Sequence, residues 1–289
     1  MPAGSRLIFG CGYLGLRLAR RWRGSGDVVY AVTRSRQQAD RFGEEGLQPI
    51  VADVTCPQTL GDLPACDTVL FAVGFDRHSG RAMREVYVEG LGHVLEALPA
   101  DCGHFIYISS TGVYGQQDGS WVDEQAVCQP QRAGGQACLE AERLLGRHPR
   151  AAEATILRLG GIYGPDRVPC LRDLRAGNPI PSAGDGFLNL IHVEDAVAAV
   201  LAAANHPGPL TIYNVTDGHP VLRRDYFAQL AALAGADPVS WTTPPAGSGR
   251  QQREMSNKRV ENRRMLQALG VELQFPSYRE GLAAVVSPA

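Results

Sequence analysis

Short apolar runs alternate with stretches of helical periodicity through the first 160 residues. "RLIFG" (6–10), "VVYAVT" (28–33), "LQPIVAD" (47–53), "TVLFAV" (68–73), "HFIYISS" (104–110) and "EATILRLG" (153–160) are rich in β-branched and aromatic residues. Runs of that length and composition predict buried strands. Helical segments fall between them: one from about Tyr13 to Arg23, a long one at about 79–98, and one after Arg132. The last carries Ala137, Cys138, Ala141, Leu144 and Leu145 on a single stripe. Arg17, Arg20, Arg21 and Arg23 crowd the end of the first helix, where its dipole is negative, and Gly24 suits the C′ position. Strand–helix alternation predicts an α/β fold built on a doubly wound parallel sheet. Beyond about residue 160, Gly and Pro punctuate "GGIYGPDRVP" and "AGNPIPSAGDG", which predicts a smaller, loop-rich C-terminal part.

Composition narrows the class. A chain of 289 residues, 44% of them hydrophobic, can bury a sizeable core. A formal charge of −2 argues against a nucleic-acid binder that needs a basic field. The longest apolar run, "AVAAVLAAA" at 196–204, is too short to span a bilayer, so no membrane partner is expected. Seven scattered cysteines without C-x-x-C spacing, behind an N-terminus that leads almost directly into a strand, predict reduced thiols in the cytoplasm. His78 and His93 have no ligand partners at metal-site spacing, so no metal is expected. Arginine is abundant, but Lys258 is the only lysine.

The strongest motif is "LIFGCGYLG". It sets Gly10, Gly12 and Gly15 in G-x-G-x-x-G spacing, with Tyr13 and Leu14 between them, directly after the first strand. The first glycine permits the tight turn, the second lets the backbone approach a pyrophosphate, and the third allows close helix–strand packing. The helix N-terminus then offers unpaired N–H groups to phosphates. This predicts a Rossmann-type dinucleotide site. Where NAD sites place an Asp or Glu on the ribose, this chain has Thr33 and Arg34, followed by Ser35 and Arg36. A hydroxyl beside guanidiniums suits a 2′-phosphate, which favours NADP over NAD, although the arginines could be merely solvated. Asp53 is a candidate partner for the adenine, or a cap for the turn "DVTCP". Ala72, Val73 and Gly74 are small enough to let a nucleotide ribose lie close.

"GCGYLG", "ISSTGVYG", "VDEQAVCQP", "CLEAERLL", "LRLGGIYGP" and "NLIHVEDAVAAVLAA", in that order, resemble the extended short-chain dehydrogenase/reductase family, and within it the NAD-dependent epimerase/dehydratase group that acts on nucleotide sugars. The resemblance implies a dinucleotide-binding domain over 1–160 and a mainly substrate-binding part over 161–289, with 187–215 returning to the first. It also implies a homodimer packed through the helices near 79–98 and 132–147. In the family a Ser/Thr holds the substrate oxygen, a Tyr exchanges its proton and a Lys lowers the Tyr pKa. Here the hydroxyl falls at Ser110, with Thr111 beside it, but the Tyr position is Gly134 and the Lys position Cys138. Neither glycine nor a thiol replaces the lost groups.

Tyr114 and Tyr163 are candidate replacements, each needing a cation to lower its pKa from ~10. Asp123 and Glu124 suit turn chemistry, and His192, Glu194 and Asp195 a capping cluster. The arginines at 250, 253, 259, 263 and 264 read as a solvated face on a helix that Ser256 or Asn257 caps and Gly270 ends, with Arg253 kept as a phosphate contact. Two functions remain. One is an NADP-dependent oxidoreductase or epimerase acting on a nucleotide sugar or other small carbonyl or alcohol, with Ser110 and Thr111 polarising the carbonyl and Tyr163 or water passing the proton. The other is a catalytically inactive regulatory protein that senses NADP(H).

Overall fold

A computed structural model describes residues 4–286. The chain divides into two compact units, interleaved in sequence. The first takes the chain up to Ser110, then Ala133–Arg158 and Val200–Tyr213; the second takes Thr111–Arg132, Leu159–Ala199 and the chain from Asn214 onward. The chain thus passes from one unit to the other five times.

The first unit is built on a seven-stranded parallel sheet. Its strands are β1 Ser5–Phe9, β2 Val28–Thr33, β3 Gln48–Val51, β4 Thr68–Phe71, β5 His104–Ser110, β6 Ala154–Leu159 and β7 Thr211–Val215. Their order is β7-β6-β5-β4-β1-β2-β3, the doubly wound arrangement that reverses direction beside β1. β1 pairs in parallel with both β2 and β4, with Ile8 opposite Ala31 on one side and Leu70 on the other. Leu7, Ile8, Phe9, Val69, Leu70, Phe71, Phe105 and Ile106 are essentially inaccessible, because a central parallel strand is covered on both faces.

The helices are α1 Gly15–Gly24, α2 Arg36–Glu44, α3 Gly90–Ala97 and α4 Ala133–Arg147. α1 ends one step later than expected: Ser25 caps it, and the glycine in the left-handed region is Gly26, at φ +93°. The helix predicted at 79–98 starts only at Met83 and passes through a π-helical turn over Glu85–Glu89 ahead of α3. Gly90 comes so close to Val54 there that a Cβ would lie 2.8 Å from its Cγ2.

The second unit has short elements around its own core of Tyr163, Leu174, Ile180, Leu190, Val221, Tyr226, Leu230 and Leu282. One expectation fails here. Residues 256–262 are not the start of a helix. Arg259–Val260 forms a short strand parallel to Trp121–Val122, and the helix is confined to Arg263–Leu269, closed by Gly270 in the left-handed conformation. Arg259 is not on a solvated face either. Its guanidinium lies 5.3 Å from the Trp121 ring and 5.1 Å from that of Phe187, while Nε donates to the Gly119 carbonyl.

Candidate functional site

The turn between β1 and α1 is shaped by its three glycines in three different ways. Gly10 sits at φ +88°, and a Cβ there would lie 2.3 Å from the Ala72 carbonyl oxygen and 2.6 Å from the Val73 nitrogen. Gly15 packs so tightly that a Cβ would come within 2.5 Å of the Gly10 oxygen. Gly12 is the opposite case, exposed, with nothing within 4 Å of where its Cβ would be. The N-terminus of α1 has Leu14 at the cap without a side-chain hydrogen bond, and no acidic residue in its first turn. Uncapped N–H groups beside an open glycine form a cradle suited to a diphosphate. The residues present therefore fit a dinucleotide. Tyr13 flanks the turn, with its ring 4.2 Å under the Arg17 guanidinium.

The other predicted cofactor residues line the same edge of the sheet. Thr33 ends β2, and its Oγ1 accepts from the Ser35 N–H; Ser35 in turn caps α2 through Gln38. Arg34 is exposed and reaches Asp76 at 3.4 Å, a weak solvated contact that leaves the guanidinium available. Asp53 caps its own turn, accepting from the Thr55 N–H and hydroxyl. Ala72 and Val73 touch Gly10, and the exposed Gly74 has no atom within 4 Å of a would-be Cβ.

Ser110, half-buried, closes β5, and the buried Thr111 opens a 3₁₀ turn ending at Val113. Close to the end of β5 lies a group the sequence pattern hid. Glu142, on the apolar face of α4, accepts from Ser109 Oγ at 2.5 Å and takes a two-point contact from Arg158 at 3.0 and 2.7 Å. The two side chains of the ion pair are 4% and 5% exposed. An acid at a core position of the stripe was the available signal.

In the second unit, Gly112, Tyr114, Gly115, Gln117, Arg132 and Ser256 line a recess that begins two residues after Ser110. Tyr114 donates to Asn214 Oδ1 at 2.8 Å, and Glu124 accepts from the Asn214 N–H, so both serve local structure. Lys258 is buried beside the recess and donates to Ser256 Oγ at 2.8 Å. Desolvation first, then Arg132 and Arg223, push its pKa down to about 8.

Residues 7–216 match the NAD dependent epimerase/dehydratase family. The chain belongs to that family. Protein YeeZ of Escherichia coli K12 is 29% identical over 280 residues, covering 93% of this chain and 95% of the relative. A candidate NAD-dependent epimerase/dehydratase from Methylobacillus flagellatus is 34% identical, with 98% of this chain and 97% of that one covered and a TM-score of 0.79. At 24% identity, MoeE5 in complex with UDP-glucose and NAD shares the fold, with a TM-score of 0.78 and coverage of 98% and 97%.

For an epimerase/dehydratase relative, the vacated positions are informative. A Cβ at Gly134 would meet only Met83 Sδ, at 3.5 Å. Cys138 is buried and hydrogen-bonded to Tyr107, and burial holds the Tyr107 hydroxyl far above the usual phenol range. The lysine position is thus sealed into the core by an aromatic hydroxyl. Tyr163 does not fill the gap. It is 1% exposed in the core of the second unit, with its hydroxyl packed against the backbone of the helix Tyr278–Val285 at Gly281, and burial drives its pKa upward. A phenol so placed has no driving force for proton exchange near neutral pH. His192 and Asp195 act structurally: Asp195 accepts from the Gln274 and Phe275 N–H groups, and His192 packs on the Phe275 ring. Among the described residues no helix is long and apolar enough to cross a membrane.

Proposed function

We propose that this protein is an NADP-preferring oxidoreductase that acts on a nucleotide sugar or another small carbonyl or alcohol. The observation that carries the reading is the glycine turn. Gly12 is open over an uncapped helix N-terminus, and the β2 end presents Arg34 and Thr33 in place of an acid. An acid there would repel a 2′-phosphate, whereas a guanidinium can grip it with paired hydrogen bonds. Gly10, Gly12, Tyr13, Leu14 and Gly15 would hold the diphosphate, with Asp53 and the segment 72–74 along the nucleoside. The bound nicotinamide supplies hydride chemistry. Ser110 and Thr111 hydroxyls orient the substrate oxygen.

The nucleotide-sugar option is supported by MoeE5, whose complex contains UDP-glucose and NAD. Seven cysteines, with no disulfide among the described residues, suit a reducing compartment, which favours the cytoplasm. The expected homodimer through 79–98 and 132–147 belongs to this reading as well. The experiment that tests the function is NADPH oxidation measured against a panel of nucleotide sugars, aldehydes and ketones. Turnover that is lost in Ser110→Ala supports it, and absence of turnover across the panel overturns it. The sealed Cys138 position favours a second reading, a catalytically inactive NADP(H) sensor, which any such turnover would remove.

A further inference from the structure

Two of the seven cysteines, Cys66 and Cys102, occupy equivalent places on neighbouring strands of the first unit. β4 and β5 pair in parallel with Thr68 opposite His104, and counting back two residues along each chain sets Cys66 opposite Cys102. The chains are still joined there. The Gly103 N–H donates to the Cys66 carbonyl at 2.9 Å, and the His104 N–H to that of Asp67 at 3.0 Å. Adjacent strands lie about 4.8 Å apart, inside the roughly 4.4–6.8 Å Cα separation that a disulfide spans. Both side chains enter the same apolar cluster, and the Cys102 thiol reaches the carbonyl of Pro64, two residues ahead of Cys66, at 3.8 Å. Burial first, and then the Cys102 thiol, push the Cys66 thiol up to about 11.

Both backbones are held independently of the thiols. Beside Cys66, Asp67 Oδ2 accepts from the Ser5 N–H at 2.7 Å and the Ser5 hydroxyl at 3.0 Å, and Ser5 Oγ accepts from the Asp67 N–H. Beside Cys102, the Arg150 guanidinium donates to the carbonyls of Leu98, Pro99 and Cys102 itself. A separation preset by these bonds lets an S–S bond close with little backbone movement. Ala65, Asp67 and Asp101 are exposed, so the two thiols lie one residue below the surface.

We propose that Cys66 and Cys102 form a reversible thiol–disulfide switch that staples the entry ends of β4 and β5 when the surrounding thiol pool is oxidised. This goes beyond the oxidoreductase reading and does not depend on it. The oxidant is a low-molecular-weight disulfide, RSSR. One cysteine thiolate attacks a sulfur of RSSR, forming a mixed disulfide and releasing RS⁻. The second thiolate attacks the protein sulfur of that mixed disulfide; the Cys66–Cys102 bond forms and the second RS⁻ leaves. The two thiol protons pass through solvent to the two RS⁻. The protein loses two electrons and two protons, and RSSR becomes two RSH. Because the thiolate is the nucleophile and Cys66 titrates at about 11, exchange is slow near neutral pH and quickens as pH rises. The new bond closes the chain between residues 66 and 102, which restricts the unfolded ensemble and leaves the native sheet in place. It lies at the opposite edge of the sheet from the glycine turn, since β1, β4 and β5 are parallel and that turn follows the far end of β1.

The test takes the full chain through a series of reduced-to-oxidised glutathione ratios, followed by alkylation, proteolysis and mass mapping. A cross-linked Cys66–Cys102 peptide that accumulates as the ratio falls, and is lost on adding dithiothreitol, supports the switch. The oxidised protein is expected to unfold roughly 5–15 °C above the reduced form. Cys66→Ala and Cys102→Ala should each abolish that difference between oxidised and reduced samples. If either variant fails to fold, the wild-type map and its two unfolding temperatures still decide. Mixed disulfides without the cross-link, a cross-link between other cysteines, or an oxidised form that unfolds no higher than the reduced one overturns the proposal.

Discussion

Gly12→Ala separates what the glycine turn does for a ligand from what it does for the fold. The new methyl meets no atom within 4 Å, and the position does not require a positive φ. Stability should change by less than ~1 kcal/mol, and upward if at all, since alanine narrows the unfolded ensemble. The same methyl fills the open side of the cradle, where a phosphate must approach the backbone. Losing one charge-assisted hydrogen bond there costs about 1.5–3 kcal/mol, or roughly 10- to 150-fold in NADPH affinity. Gly10→Ala is the contrasting control. Its left-handed backbone penalises alanine by roughly 1–2 kcal/mol. Its Cβ would also overlap the Ala72 carbonyl at 2.3 Å, so that strand end must move. Thermal unfolding followed by NADPH titration reads both effects: Gly12→Ala should unfold with the wild type and bind weakly, while Gly10→Ala should unfold several degrees lower. Wild-type NADPH affinity in Gly12→Ala, or an unfolding temperature as low as that of Gly10→Ala, would refute the reasoning.

Further outcomes follow from other parts of the molecule. If Arg34 grips a 2′-phosphate as proposed, Arg34→Ala should weaken NADPH at least tenfold and leave NADH, which lacks that phosphate, unchanged; equal weakening of both would remove the NADP preference. Glu142→Ala should destabilise by about 3–5 kcal/mol in chemical denaturation, because Arg158 is left buried without its anion, and Glu142→Met with Arg158→Met should cost less than either single change. Asp217 is buried, with Oδ2 lacking a hydrogen-bond partner among the described residues, and burial raises its pKa to about 7. The folded state therefore keeps a proton that the unfolded chain releases near its ordinary ~3.9, so stability declines as pH rises from about 4 to 7 and stays lower above that. Asp217→Asn should flatten that decline in a series of unfolding temperatures against pH. A solution mass at twice the 31.1 kDa chain is expected for the homodimer, and a monomer mass would contradict it.

The sheet was legible because its signals are local. Runs such as "TVLFAV" are apolar on both faces, and β1, β2, β4 and β5 fall within a few residues of where those runs place them. The glycine turn was legible for the same reason, since glycine spacing after a strand is a short-range pattern. What escaped depends on partners distant in sequence. The segment from Ser256 to Asn262 has helix-compatible residues, yet Arg259 N–H bonds the Ser120 carbonyl and Glu261 N–H that of Val122. Those bonds, made roughly 140 residues away, override local propensity and carry Lys258 into the interior. Tyr163 lies in a Gly- and Pro-rich stretch that reads as a site loop, but Gly161–Tyr163 is a short strand paired with Leu190–His192, and the ring was captured by the second unit's core. The Glu142–Arg158 pair could be suspected only from an acid on an apolar stripe, with nothing to name its partner.

The most direct test of the central claim is calorimetric titration of the purified protein with NADPH and NADH under identical conditions. NADPH is expected to bind in the micromolar range, about −8 kcal/mol, with NADH clearly weaker. Equal or tighter binding of NADH would contradict the assigned preference, and no heat from either nucleotide would contradict the cofactor site itself.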